Sequence, residues 1–171
     1  LIPPIPGTDQ DFVVTSDDVL SGAVEVGEKV VIIGGGSCGA ETADFLAVRG
    51  KDVTIVEMLD GLCPDMLPDA KYFLLERLEK AGVVALLSAT VERIEDHSVV
   101  LSRKQPGLAL QWTATLDDVD TVVLAAGTRS DRQLAEQMEG VSAEVYEIGD
   151  CTQPGFAIDA IYAGAKVGRD I

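Results

Sequence analysis

The stretch Lys29–Glu57, KVVIIGGGSCGAETADFLAVRGKDVTIVE, limits the possible folds of this chain more than any other part of it. The β-branched run Val30-Val31-Ile32-Ile33 meets glycines at Gly34, Gly36 and Gly39, spaced G-x-G-x-x-G, and the residues that follow carry apolar spacing suited to a helix. A second β-branched run, Asp52–Val56, follows Gly50 and ends at an acid, Glu57, about 20 residues beyond the glycines. Glycines that merely shape a turn require none of this context. Strand, turn, helix, second strand and terminal acid together give the motif a weight it lacks alone.

Each glycine has a physical task. Gly34 turns the chain sharply off the strand, Gly36 removes the side chain that would keep a diphosphate away from the backbone, and Gly39 lets the helix pack close to the strand. With Gly35 between them, the N–H groups of Gly36, Ser37 and Cys38 lie near the first helical turn. Unpaired donors and the positive end of the helix dipole favour an anion there. Glu57 is placed to accept both hydroxyls of an adenosine ribose. A 2′-phosphate would face its carboxylate, and Met58-Leu59-Asp60-Gly61 offers no arginine or lysine to neutralise it, so NAD(H) is preferred to NADP(H).

Composition narrows the partners. With 29 acids against 13 bases the formal charge is −16, which argues against nucleic acid and anionic membrane surfaces because both would be repelled. A cytoplasmic protein is expected. No apolar run approaches ~20 residues, so no membrane span is expected. The three cysteines, Cys38, Cys63 and Cys151, form no C-x-x-C pair and no zinc or iron–sulfur spacing, and read as reduced small residues. The chain starts at Leu1 without a methionine and reads as a piece of something longer.

Along the chain, the proline-rich Leu1–Gly7 is expected to be extended, and Ser16 or Asp17 to cap a short helix through Leu20, the whole forming a linker into the nucleotide domain. A helix is predicted over Ser37–Arg49 and another over Asp65–Lys80, the latter ended by Gly82. Val83–Leu87 reads as a strand covered on both faces. The pattern then changes: Thr90–Glu95, Val99–Arg103 and Leu108–Thr115 are short strands divided by Asp96-His97-Ser98 and Gln105-Pro106-Gly107, which is turn chemistry. Thr121–Ala126 returns as a buried strand, Asp131–Met138 is a short helix, Val145–Ile148 a strand, and Phe156–Val167 a helix. The fold class is α/β, a Rossmann-like three-layer domain in which a parallel sheet with helices carries an antiparallel β-meander.

Five positions outside the glycine turn bear on function. His97, in a predicted turn, is expected to be exposed and neither a catalytic base nor a metal ligand; no metal site is expected. Trp112 reads as a packing residue. Ala126 and Gly127, small residues at the end of a parallel strand, allow a cofactor to approach the backbone. Asp150 follows Gly149 between a strand and a helix, where it can accept a hydrogen bond from a sugar or ribityl hydroxyl, or act as a turn former or helix cap.

The segments GGGSCGAE (34–41), VTIVE (53–57), VLAAGTRSD (123–131), VYEIGDC (145–151) and AIDAIYAGAKVGRDI (157–171) resemble flavin-dependent pyridine nucleotide oxidoreductases. The wording is most similar to the carboxyl-terminal part of the NADH:flavin oxidoreductases and NADH oxidases related to old yellow enzyme, 2,4-dienoyl-CoA reductases among them. The resemblance implies an NAD(H) domain inserted within an FAD domain, both preceded by an FMN-bearing barrel and a four-iron–four-sulfur (4Fe-4S) cluster. On that mapping residues 29–128 are the NAD(H) domain, 1–28 a linker from the FAD domain and 129–171 its incomplete carboxyl-terminal part. Glu41 then lies near the nicotinamide, Ala126 and Gly127 line the nicotinamide half of the site, and Asp150 holds the ribityl chain of FAD. The chain contains one G-x-G-x-x-G loop where two are needed, so the FAD site is half missing, and FMN and the cluster belong to absent domains. None of these residues is asked to be an acid, base or nucleophile, and the isolated piece is expected to bind NADH with little turnover. A fragment of a pyridine nucleotide–disulfide oxidoreductase and a non-catalytic nucleotide-binding module remain as rivals.

Overall fold

A computed structural model describes residues 1–104, 111–141 and 144–171. They form two compact units, Leu1–Gly127 and Thr128–Ile171. In chain order the first unit contains β1 (Val13–Thr15), α1 (Ser16–Ser21), β2 (Lys29–Ile33), α2 (Ser37–Ala47), β3 (Asp52–Val56), α3 (Pro68–Lys80), β4 (Val84–Leu86), β5 (Ala89–Glu95), β6 (Ser98–Lys104), β7 (Gln111–Leu116) and β8 (Thr121–Leu124). The second contains α4 (Gln133–Gln137), a single 3-10 turn at Gly149–Cys151, and α5 (Ala157–Asp170).

The first unit is organised by a five-stranded parallel sheet of order β1-β8-β2-β3-β4. Alternation along β2 sends Val30 and Ile32 to one face and Val31 and Ile33 to the other. The first face packs with Ala40, Ala43 and Leu46 of α2 and Leu74 and Leu78 of α3. The second packs with Val91 and Ile94 of β5 and Val99 and Leu101 of β6. The result is three layers, helices on parallel sheet on antiparallel meander, the architecture expected from the sequence. Coverage on both faces is why β2 and β8 read as unbroken apolar runs.

Register decides where a site can form. β2 pairs with β3 from Lys29↔Asp52 to Ile33↔Val56 and with β8 from Val30↔Thr121 to Ile33↔Leu124. The three carboxyl ends are therefore level, and Gly34, Glu57 and Ala125 leave the sheet side by side. β2 is also where the connections diverge, with α2 leading to β3 on one side and the meander leading to β8 on the other. A crevice at such a point is where open parallel sheets bind ligands.

Several elements differ from the sequence reading. The segment read as a linker supplies an edge strand, because β1 pairs with β8 from Val13↔Val122 to Thr15↔Leu124. Thr15 caps α1 in place of Ser16 or Asp17: the Thr15 side chain accepts the Asp18 N–H at 3.2 Å, and the Asp18 carboxylate takes the Thr15 N–H at 3.0 Å. The Thr15 hydroxyl and then its N–H hold the Asp18 carboxyl below the usual carboxylate range. β4 is an edge strand bonded to β3 alone, and Val84 is 48% exposed, so the apolar run Val83–Leu87 is not covered on both faces. Trp112, on β7, is 46% exposed and is not part of either core. α3 begins at Pro68 instead of Asp65, since proline suits the first helical turn and disfavours helix in the residue before it. The turn at Gln105-Pro106-Gly107 and the expected start of the third strand at Leu108 lie outside the described residues.

In the second unit no described residue is buried. Val145–Ile148 does not form the expected strand; Ile148 is extended at φ −143° and ψ 157°, in the broad β region, yet a strand needs a ladder partner that apolar content cannot supply.

 Arg132 and Glu147 form a bidentate ion pair, Nε to Oε2 at 2.7 Å and Nη2 to Oε1 at 2.6 Å. α5 exposes Ile158, Ile161 and Tyr162 along its apolar stripe. Among the described residues no helix is long and apolar enough to cross a membrane.

Truncation should separate the two kinds of strand. Ile32, fully buried between the layers, is expected to cost about 2–5 kcal/mol as Ile32→Ala, while Val84→Ala at the exposed edge should cost under about 1 kcal/mol. Urea denaturation midpoints of the two variants check this.

Candidate functional site

The site is built at the level carboxyl ends of β2, β3 and β8. Gly34 has φ +108°, and a Cβ there would lie 2.4 Å from the carbonyl oxygen of Ala125. Gly39 sits in the first turn of α2, where a Cβ would lie 2.0 Å from the carbonyl oxygen of Gly34. These two glycines let the helix start directly above the strand end. Gly36 differs from both. A Cβ there would meet nothing closer than the Asp65 carboxylate at 3.7 Å, so the fold itself tolerates a side chain at that position.

Glu57 is 6% exposed at the end of β3. Its Oε2 accepts the Gly35 N–H at 2.5 Å and its Oε1 accepts the Leu59 N–H at 2.7 Å. The carboxylate thereby ties the glycine turn to the return loop, and each oxygen keeps acceptor capacity for another donor. Met58 is exposed beside it.

The return loop carries a residue that sequence reasoning missed. Asp65 accepts the Ser37 N–H at 2.9 Å on Oδ1 and 3.2 Å on Oδ2, and the Ser37 hydroxyl donates to Oδ2 at 2.6 Å. Ser37 is therefore not the bare donor the sequence suggested. Burial works against ionisation of Asp65, but the hydrogen bonds from the Ser37 hydroxyl and backbone outweigh it and hold the carboxyl below the usual range. No spacing rule flags Asp65, because the contact depends on the path of the loop. That path is fixed at Cys63, which has φ +51° and donates its N–H to the Gly35 carbonyl at 2.7 Å. Cys63 is buried, and burial pushes its thiol pKa up. All three cysteines are free.

The remaining candidates are distributed as follows. Cys38 is exposed, with its Sγ 3.3 Å from the Ser16 hydroxyl. Glu41 lies exposed on α2. Ala126 is half-buried and Gly127 exposed at φ +92°, just beyond β8. Asp150 belongs to the second unit, where it is exposed in the 3-10 turn and its Oδ1 accepts the Gly155 N–H at 3.3 Å. His97 is an exposed turn residue at φ +59°, as expected; its ring stacks on Phe12 with centroids 4.3 Å apart, and its Nδ1 lies 2.8 Å from the Val119 carbonyl.

A glycine turn opening a helix at the divergence point of a parallel sheet, with an acid one strand over, defines a dinucleotide-binding class of domain. The profile of the pyridine nucleotide-disulphide oxidoreductase family matches residues 1–164, and the chain belongs to that family. It is 34% identical over 174 residues to an NADH oxidase of Thermoanaerobacter brockii, covering 99% of this chain and 26% of that protein. The structure is similar to that of a 2-naphthoyl-CoA reductase complex, with TM-score 0.89 and 32% identity over 100% of this chain and 25% of the other. It also resembles an FAD-dependent pyridine nucleotide-disulphide oxidoreductase from Desulfovibrio vulgaris, with TM-score 0.59 and 34% identity over 81% of this chain and 36% of the other. The chain thus spans about a quarter to a little over a third of the length of these relatives.

The glycines can be told apart by stability. Gly39→Ala forces a methyl into the Gly34 carbonyl and should lose about 1–3 kcal/mol, whereas Gly36→Ala should unfold with the wild-type midpoint in thermal denaturation.

Proposed function

We propose that this chain is the NAD(H)-binding part of a multi-domain flavin-dependent oxidoreductase of the NADH oxidase type related to old yellow enzyme. Gly36 is the observation that carries the reading. A glycine that the protein's own packing does not require, at the start of a helix with donors facing the crevice, leaves room for something outside the protein to approach the backbone.

The residues present fit a dinucleotide. Gly36, Ser37 and Cys38 would hold its diphosphate through backbone N–H groups, and Gly34, Gly35 and Gly39 shape the turn that presents them. Glu57 would accept the adenosine ribose hydroxyls on lone pairs left free by Gly35 and Leu59. Met58 borders that end. Glu41, Ala126 and Gly127 would line the nicotinamide end. These residues would hold the nicotinamide ring, whose chemistry when bound would be hydride donation to the FAD of the intact enzyme. The protein groups contribute position and electrostatics, and none serves as acid, base or nucleophile.

On this reading residues 29–128 hold the dinucleotide, residues 1–28 come from the FAD domain, and residues 129–171 are its carboxyl-terminal end, in which Asp150 would meet the ribityl chain. The rest of the FAD domain, the FMN, the 4Fe-4S cluster and the reduction of an alkene-type or other acceptor belong to further domains of the same polypeptide. The exposed stripe Ile158, Ile161 and Tyr162 supports this, because an apolar helix face of that kind is ordinarily covered. The higher TM-score to 2-naphthoyl-CoA reductase than to the Desulfovibrio vulgaris protein favours this branch over a disulfide-reducing one.

Titration calorimetry with NADH, NADPH and FAD tests the assignment. NADH is expected to bind in preference to both, Gly36→Ala to abolish that binding without loss of stability, and Glu57→Gln to weaken NADH about tenfold, as expected for hydrogen bonds to a charged group. Unchanged NADH affinity in both variants would remove the site from this cleft.

A further inference from the structure

We infer that Asp65 is a built-in anion that occupies the diphosphate-binding end of α2 and must be displaced for a dinucleotide to bind, so that it sets the affinity of the site. This rests on the NAD(H)-binding reading above and adds to it a residue that opposes binding. The Asp65 carboxylate takes the Ser37 N–H through both oxygens and the Ser37 hydroxyl through one, and it lies beside the open face of Gly36. A diphosphate held at the start of α2 needs the same N–H. The donor cannot give its single proton fully to both, and two anions in that space repel each other.

The geometry makes exchange feasible without unfolding the loop. Its backbone is fixed independently of Asp65, by the Cys63 N–H on the Gly35 carbonyl, the Leu59 N–H on Glu57, and the burial of Leu62 and Cys63 in the core beneath α2. Asp65 itself is exposed, so rotation of one side chain frees Ser37. While it remains, its charge compensates the positive end of the helix dipole. Stability and affinity should therefore move in opposite directions when it is removed. A residue that merely positioned α2 would lower both.

The test uses the 171-residue chain with Asp65→Ala and Asp65→Asn, titrated with NADH, inorganic pyrophosphate and adenosine, and melted without ligand. Both variants should melt below wild type, yet bind NADH and pyrophosphate about tenfold more tightly, with adenosine unchanged, since a charge-assisted competitor has been removed. If wild type binds NADH and the variants bind it and pyrophosphate no more tightly, the inference is overturned while the dinucleotide reading stands. If pyrophosphate tightens in the variants and NADH binds none of the three chains, the anion exchange stands and the dinucleotide reading fails. Asp65→Asn keeps the side chain's shape, so its result carries the test should Asp65→Ala fold poorly.

Discussion

The close approach of α2 to the end of β2 is the contact on which the rest of the first unit depends. A helix can begin directly above a strand only if the turn between them is free of side chains at the points of contact, and here those points are Gly34 and Gly39. Their closeness lets α2 lie flat enough to bury Ala40, Ala43 and Leu46 against Val30 and Ile32. It also brings the N–H groups of the first helical turn to the crevice, where Asp65 takes that of Ser37. Packing and the shape of the crevice are thus consequences of one local arrangement.

The electrostatics of the crevice are shared between two carboxylates with different duties. Glu57 is buried and bonded to Gly35 and Leu59, so it stiffens the turn from one side. Asp65 is exposed and bonded to Ser37, so it neutralises the helix end from the other. The loop between them is held by Cys63, whose positive φ turns the chain back over Gly35. An acidic chain with a formal charge of −16 thereby still seats a carboxylate at this helix start, because short-range donors outweigh a diffuse field screened by salt.

The second unit obeys a different balance. It has helices but no buried residue among those described, and its apolar stripe on α5 is exposed. Its local order comes from short contacts such as the Arg132–Glu147 pair and the Asp159 carboxylate on the Phe156 N–H, which are weak at an exposed surface. Hydrophobic burial, the dominant stabilising term in folding, is absent from the described residues of this unit taken by itself.

The sequence by itself determined the local elements of the first unit. The β-branched runs of β2, β3 and β8, the glycine spacing and the turn chemistry of the meander are properties of neighbouring residues, and short-range sterics and periodicity make them legible. Tertiary structure decided the rest. Whether Val84 is covered, whether Leu1–Glu28 is linker or edge strand, and whether Val145–Ile148 finds a ladder partner all depend on what lies alongside. The site divides the same way: the glycine turn and Glu57 could be read from spacing, but Asp65 could not. Its carboxylate meets Ser37 only because the loop folds back over Gly35, and a contact between distant residues is set by the path of the chain, which no local pattern encodes.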